Sequence, residues 1–460
     1  MKKIELQEII KAIGGTVISG HQNPAIHYVS RRSDSTLWKN HTMFFHPPGE
    51  KNLHIHSSIK SAVIITRNPA RVKNYGSKVT IVKVENVRRA YWNFVYYYRS
   101  LFNIPFISVT GTCGKTTTKE MISWILAFDR KVNKTNKSQN VLAMNLNYLL
   151  NVDETTGATV IEAAVSSVGN LQTSCRYFRP QIGVLTSIGI DHLNGFPTFE
   201  AYRNEKAKIF SCVGSKGTVI VNSDDKHIRK LDLSRYKGKI IWYGKSKQSE
   251  FRIKDIHYGL NGMDFSLYHN RKKYKLFVPG YGEHNVYNAV AAIAVAYKLG
   301  VDIIESGRRL KSFKHIERHT QVLQGAKGST LIDDTWSTNP TSILAALDVL
   351  KNISKDKKKI AVIGDIKWLG KHTQKAHLDV GEMVARSDVD FLITIGKDAG
   401  LISDRAIELG LNPKQVFKHQ SAKEAYHTLN SIINQDTVVL VKTSMKQSFS
   451  TLIGKLKAYN

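Results

Sequence analysis

The sequence predicts an α/β protein of three domains: a small mixed α/β domain at the N-terminus, a central P-loop-type, mostly parallel sheet with helices on both faces, and a C-terminal Rossmann-like α/β domain. Three observations predict it. The chain has 460 residues, more than one hydrophobic core ordinarily serves, and that length corresponds to about three domains. From Pro105 onward, apolar strands run into polar turns and then helical patterns, the alternation that builds a parallel sheet covered on both faces. One of those strands ends in a glycine-containing turn, ISVTGTCGKTTT over 107–118, the local pattern of a loop that takes phosphate.

The elements follow in order. The opening MKKIELQEIIKAIGG interrupts its apolar residues with acidic ones, so it reads as a folded helix and not as a signal peptide. Short strands are expected at 62–67 (AVIITR) and 79–86 (VTIVKVEN). In YWNFVYYYRSLF (91–102), Tyr91, Phe94, Val95 and Tyr98 recur at i, i+3, i+4 and i+7 and make one core-facing stripe of a helix. The first domain therefore spans 1–104. The second, 105–312, contains FISVTG, TVIEAA and IGVLTSIG as parallel strands, an antiparallel extension between Phe251 and Pro279, and the apolar helix NVYNAVAAIAVAYKLG (285–300). After a polar linker at 311–317, the strands STLIDD, KIAVIGD, FLITIG and TVVLVK define the third domain, 313–460, without a dinucleotide glycine fingerprint.

Composition narrows the function. Hydrophobic residues make up 42% and charged residues 23% of the chain, which argues against extensive disorder. No stretch reaches the ~20 apolar residues a membrane helix needs, so no membrane insertion is expected. Cys113, Cys175 and Cys212 form an odd set without metal-ligand spacing, which fits a reducing cytoplasm. The net charge of +30 raises a nucleic-acid reading. Its clusters, KDKKK (355–359) and NRKKY (270–274), read as loops and lack interleaved aromatics, so a solvated basic surface suited to anionic nucleotides is favoured.

In the 107–118 loop, backbone amides and the helix N-terminus can bind phosphate, Lys115 can pair with the outer phosphates and Thr116 can ligate Mg²⁺. Val109 stands where the GxxxxGK[ST] pattern has its first glycine, and a Gly-Lys-Thr turn without nucleotide is the alternative. The segment TGTCGKTTT, together with Glu162 in VIEAA, DHLNGF (191–196), EKAKIF (205–210), GEHNVYNAVAA (282–292) and DDTWSTNP (333–340), resembles the Mur ligases and folylpolyglutamate synthetases in motif and in order. DDTWSTNP and VIGDIKWLG (362–370), followed by His377, are most similar to the Mur branch that adds D-alanyl-D-alanine to a UDP-muramoyl tripeptide.

The resemblance implies an ATP-dependent ligase that activates a carboxylate as an acyl phosphate and captures it with an amine, in cell-wall precursor synthesis. A related ligase with another acceptor and amine is the runner-up; a basic, ATP-switched nucleic-acid-binding protein is the alternative from another class. It implies that Gly111, Thr112, Gly114, Lys115, Thr116 and Thr117 hold ATP, with two magnesium ions on Thr116, Glu162, His192 and a carbamylated Lys206. A bare, solvent-facing Lys206 is the alternative. Adenine is expected on Asn285 and Asn288, one helical turn apart, though Asn285 could instead cap the helix. Arg318 is expected at the γ-phosphate, Asp334 at the ribose, and Asn339 in the nucleotide-binding motif, with a plain turn as its alternative. The N-terminal domain is expected to hold the carboxylate acceptor, the C-terminal domain the incoming amine, and the protein to be a monomer.

The departures lie near the substrates. Ala164 and Asn170 in EAAVSSVGNL (162–171) stand in place of a glycine and an acidic residue, Trp336 in place of a tyrosine, and KTSMK (442–446) keeps only Lys442 of a KGSR-like pattern. VSRRSDS and TMFFHPPGEKNLHIH (42–56) align only loosely with the uridine-binding segment.

Overall fold

Leu6, Ile9 and Ile13 lie on one face of the first helix, Leu6–Ile13, and are buried together; Gly14 ends it at φ 71°, where a Cβ would be strained. The computed structural model describes residues 1–460 except 48, 50–52, 73–74, 448 and 459–460. In its N-terminal part a five-stranded sheet runs in the order Thr16–Ser19, Val79–Lys83, Ala62–Thr66, Thr42–Phe45, Tyr28–Ser30. The first pairing is antiparallel and the rest are parallel. The helix Val87–Ser100 buries Tyr91, Phe94, Val95 and Tyr98, the expected stripe. The apolar cluster beneath it also takes in Leu146, Leu149, Tyr177 and Phe178 of the next part, so a continuous core joins the two. Polar groups pin the same seam: Arg31 donates to the Tyr177 hydroxyl at 3.3 Å, and the Tyr91 and Tyr177 hydroxyls bond at 2.6 Å.

The central sheet has nine strands, in the order Lys272–Pro279, Gly262–His269, Phe251–Gly259, Lys239–Gly244, Thr218–Asn222, Ile182–Leu185, Phe106–Thr110, Thr156–Glu162, Lys131–Lys134. It is parallel except for the two hairpin pairings at the 251–279 end, the expected antiparallel extension. Helices Lys115–Leu126 and Glu283–Lys298 cover one face. Small Ala and Val residues dominate the second of these and are fully buried, which lets it approach the sheet closely. Asn170–Phe178 and Phe199–Val213 cover the other face. The C-terminal sheet has six strands, ordered Gln321–Gln324, Thr330–Asp334, Thr437–Lys442, Lys358–Gly364, Phe391–Ile395, Val416–His419, antiparallel only at the first pairing. Helices Pro340–Ser354 and Thr373–Ala385 pack on one side, Ala422–Ile432 and Ser450–Leu456 on the other.

Several readings need correction. Lys358 and Lys359 begin a strand, and Lys272–Pro279 is a strand entered through the Asn270–Arg271 turn, so neither basic cluster is wholly a loop. The edge strands Gln321–Gln324 and Val416–His419 were not anticipated; they are short and only partly buried, so their hydrophobic pattern is weak. Cys175 and Cys212 are joined as a disulfide between the helices Asn170–Phe178 and Phe199–Val213, with Cα atoms 5.6 Å apart, a pairing the cysteine spacing did not reveal. Of the 42–56 segment, Thr42–Phe45 is a strand, while residues 48 and 50–52 lie outside the described residues. Among the described residues no helix is long and apolar enough to cross a membrane.

Candidate active site

The phosphate loop leaves the strand Phe106–Thr110 and enters the helix Lys115–Leu126 through Gly114, at φ 79° and with no side-chain cap on the helix start. Two approaches make glycine necessary. A Cβ at Gly114 would overlap the Asn288 amide oxygen, and one at Gly111, at φ 150°, would overlap the Thr186 hydroxyl. Thr112 is buried, accepting from the Gly189 N–H at 2.9 Å and bonding the Tyr202 hydroxyl at 3.1 Å. The Lys115 ammonium folds back onto the Thr112 carbonyl at 2.8 Å, within reach of the loop it borders. Thr117 is buried under the loop.

Thr116 donates to Glu162 Oε2 at 2.8 Å and lies 3.1 Å from the Ser138 hydroxyl, and Asn140 donates to Glu162 Oε1 at 2.6 Å. Glu162, at the end of its strand, is 3% exposed. The loop carrying Ser138 and Asn140 is held by Lys119, a fully buried lysine whose ammonium donates to the carbonyls of Thr135 and Lys137 and pairs with Glu120 at 2.8 Å. Asn140, Ser138 and Lys119 went unrecognised in the sequence. Their neighbourhood depends on parallel pairing between Lys131–Lys134 and Thr156–Glu162, which periodicity does not reveal.

Lys206 is 1% exposed and donates to the Gly111 carbonyl at 2.8 Å, which rules out the solvent-facing alternative. Burial, reinforced by the nearby Lys115 charge, holds its pKa well below the ordinary lysine range. Beside it Glu205 accepts from the Gly169 and Leu171 N–H groups at 2.9 and 3.2 Å, fixing the start of Asn170–Phe178 against the Lys206 helix. His192, at φ 51°, sits at the mouth of the same space; burial lowers its pKa, and Lys115 and Lys206 add to that. Its ring stacks on Trp368 of the C-terminal part, centroids 5.3 Å apart.

The C-terminal sheet closes the cleft. Arg318, at φ 63°, donates to Thr335 Oγ1 at 2.9 Å and to the Thr335 carbonyl at 2.8 Å, and its guanidinium lies 5.5 Å from the Trp336 ring centroid. Asp334 pairs with buried Lys442 at 3.2 Å, which gives the retained lysine of KTSMK a partner. Asn339 caps the helix Pro340–Ser354 in a capping box with Ser342, and Cys113 of the phosphate loop donates to its Oδ1 at 3.3 Å. The two sheets thus meet at the loop, and a Cβ at Gly189 would overlap the Thr341 hydroxyl.

Not every expected residue opens onto the cleft with a free side chain. Asn285 is 1% exposed, and its amide donates to the Pro279 and Gly280 carbonyls at 2.7 and 3.1 Å, holding the turn before its helix without capping it. Asn288 Oδ1 accepts from Thr118 Oγ1 at 3.2 Å and leans on Gly114, bracing the phosphate loop. Asn170 Oδ1 accepts from the Ser166 and Ser167 N–H groups at 3.1 and 3.0 Å, so this amide shapes its own turn. His284 and His319, not singled out in the sequence, lie near Asp334; burial brings the His284 pKa down to about 4 and lowers that of His319.

The Mur ligase middle domain matches residues 109–296 and the Mur ligase glutamate ligase domain matches 318–445, more than two thirds of the chain together. The UDP-N-acetylmuramoyl-tripeptide–D-alanyl-D-alanine ligase of Bacillus subtilis is 23% identical, covering 99% of each chain. The enzyme of that name from Haemophilus influenzae is 26% identical over 99% of this chain and 98% of its own. Among solved structures, MurF from Acinetobacter baumannii superposes with a TM-score of 0.82 at 23% identity, over 99% of this chain and 98% of that one. MurF ligase from Thermotoga maritima in complex with ADP gives 0.76 at 20% identity, over 93% and 96%. With its phosphate loop, its three-part architecture and both domain matches, this chain belongs to the Mur ligase family.

Proposed function

We propose that this chain is the ATP-dependent ligase that joins D-alanyl-D-alanine to UDP-N-acetylmuramoyl-tripeptide, making an amide through an acyl phosphate in peptidoglycan precursor synthesis. The observation that carries it is one cleft bordered by the uncapped phosphate-loop helix, Lys115, Thr116, Glu162, His192 and Lys206 on one side and by Arg318, Asp334 and Asn339 on the other. The curated relatives of that name, matched along nearly their full length, support it.

In this reading residues 105–312 bind ATP, 313–460 bind the amine and 1–104 bind the nucleotide-sugar peptide. A cavity of about 360 Å³ beside the ends of Thr42–Phe45 and Ala62–Thr66, lined by His46, Arg67, Asn68 and Arg71, supports the last assignment. Among the described residues His46 Nε2 is buried there without a partner, and the basic residues suit an anionic acceptor.

Lys115 leaves the Thr112 carbonyl for the outer phosphates, and the amides at Gly114 and Lys115 bind them in place of a cap. Arg318 steadies the γ-phosphate, Asp334 accepts from the ribose hydroxyls, and Asn285 and Asn288 act on adenine by fixing the walls of its groove. The acceptor carboxylate attacks the γ-phosphorus in line, ADP leaves, and the amine displaces phosphate from the acyl phosphate; positioning and a closed, water-poor cleft do most of the work.

Among the described residues no group of three His, Cys, Asp or Glu could hold a metal by itself. The Thr116 hydroxyl and Glu162 carboxylate nevertheless suit magnesium, which ordinarily completes its shell with phosphate oxygens and water. His192 and a carbamylated Lys206 would hold a second ion. Bound magnesium neutralises phosphate charge as it is redistributed. Lys206 is prepared for carbamylation, because its depressed pKa favours the neutral amine that adds to CO₂.

Two measurements test this. In a panel of carboxylates and amines scored by ADP release and product mass, UDP-N-acetylmuramoyl-tripeptide with D-alanyl-D-alanine should be the best pair; amide formation only with another pair overturns the substrate assignment. With ¹³CO₂, the wild-type protein should give a carbamate carbon resonance that Lys206→Ala lacks; a spectrum unchanged by the substitution removes the modification from Lys206.

A further inference from the structure

The turn at 365–370 leaves the strand Lys358–Gly364 and leads to the helix Thr373–Ala385. It is a built turn. Fully buried His377 accepts the Ile366 N–H on Nε2 at 3.1 Å, and Lys367 pairs with Asp365 at 2.8 Å. Trp368 stands in it at φ 62°, a conformation disfavoured for a bulky side chain, yet the residue is 39% exposed and adds little to the core of its own sheet. Across the cleft His192 is also left-handed, at φ 51°.

The two strained residues meet. Indole and imidazole stack with centroids 5.3 Å apart and planes 27° apart, and the Trp368 carbonyl accepts the Asn194 N–H at 3.2 Å. Gly370 passes so near that a Cβ there would lie 3.3 Å from Asn194 Cα. The C-terminal sheet therefore grips the 192–195 turn by a ring face, a backbone hydrogen bond and a glycine-sized gap.

We propose that Trp368 is a positioning residue, which clamps the His192 turn when the C-terminal sheet docks and so gives the imidazole its working pose only in the closed arrangement. What His192 does there rests on the ligase reading; the clamp does not. Backbone strain held at a contact between two bodies is maintained only while the surroundings enforce it, so removing the ring should release the turn without unfolding either sheet.

The test uses full-length wild type, W368A and W368F, with W368F retaining an aromatic face. In protein without ligands, amide hydrogen exchange across 191–196 should rise about tenfold or more in W368A and stay within about twofold of wild type in W368F. In turnover, W368A should lose about tenfold or more in kcat with KM for ATP within about twofold, and W368F should recover to within about threefold of wild type. Unchanged exchange in W368A overturns the clamp whatever the activity, and equal loss in both variants overturns the role of the ring. Faster exchange with wild-type kcat overturns the positioning role. A wild-type protein without ATP-dependent amide formation sinks the ligase reading instead, and the exchange measurement still decides the clamp.

Discussion

Two helices present their N-termini at one cleft from opposite sheets, and they finish those ends in opposite ways. Lys115–Leu126 begins at Gly114 without a side-chain cap. Pro340–Ser354 begins with a proline, which has no amide to satisfy, and Asn339 and Ser342 cap each other's backbone. The first N–H groups of any helix lack partners within it, so an end left uncapped suits an anionic ligand, whereas a capped end has little left to offer one. A third start, Asn170–Phe178, also follows an uncapped glycine, but the Glu205 carboxylate fills it from within. Both large sheets are mostly parallel and similarly covered, and Glu283–Lys298 and Thr373–Ala385 also start without a side-chain cap, so it is the open start at Gly114 together with Lys115, Thr116 and Glu162 around it, and not sheet architecture, that marks the site.

Lys115→Ala should have the largest effect, a fall of about 10³ or more in turnover, some 4 kcal/mol of barrier, with the thermal midpoint nearly unchanged. Near wild-type turnover would erase the distinction between the open end and the filled ones. Next, Lys442→Met should leave Asp334 without its buried partner and cost about 3 kcal/mol in urea unfolding. An unchanged midpoint would mean that the capped side is not braced by this pair. Smallest is Asn339→Ala, expected to cost about 1 kcal/mol in the same assay, with Asn339→Ser close to wild type because serine also caps. If alanine were harmless, the capping box would not be what closes that end.

The same contrast marks how much could be read in advance. The parallel sheets, the antiparallel extension, the aromatic helix stripe and the phosphate loop all announce themselves through period or through a glycine at a strand end. Glu162, Lys206 and Lys115 could be named because their motifs are local. Asn140 could not, since its contact with Glu162 spans 22 residues and exists only through strand pairing. Trp368 and His192 lie 176 positions apart and meet only through docking of one sheet on another. The amides of Asn285, Asn288, Asn170 and Asn339 show a further limit: each was expected near a ligand, but Asn285, Asn170 and Asn339 bond nearby backbone and Asn288 bonds the Thr118 hydroxyl. The Cys175–Cys212 pairing depends on where two helices cross, which cysteine counting does not reveal.

Lys119 has a consequence for chain length. Its ammonium ties the phosphate-loop helix to the carbonyls of Thr135 and Lys137, and the same stretch then delivers Ser138 to Thr116 and Asn140 to Glu162. Between the tie and the delivery points there is little slack, because Thr135, Lys137, Ser138 and Asn140 are held as described and Asn136 and Gln139 are held only through their backbones, the Asn136 N–H donating to the Tyr148 hydroxyl and that hydroxyl donating to the Gln139 carbonyl. This stretch can therefore accept replacements at Asn136 or Gln139 more readily than any insertion or deletion, which would carry Asn140 out of register with the carboxylate while leaving the sheet intact.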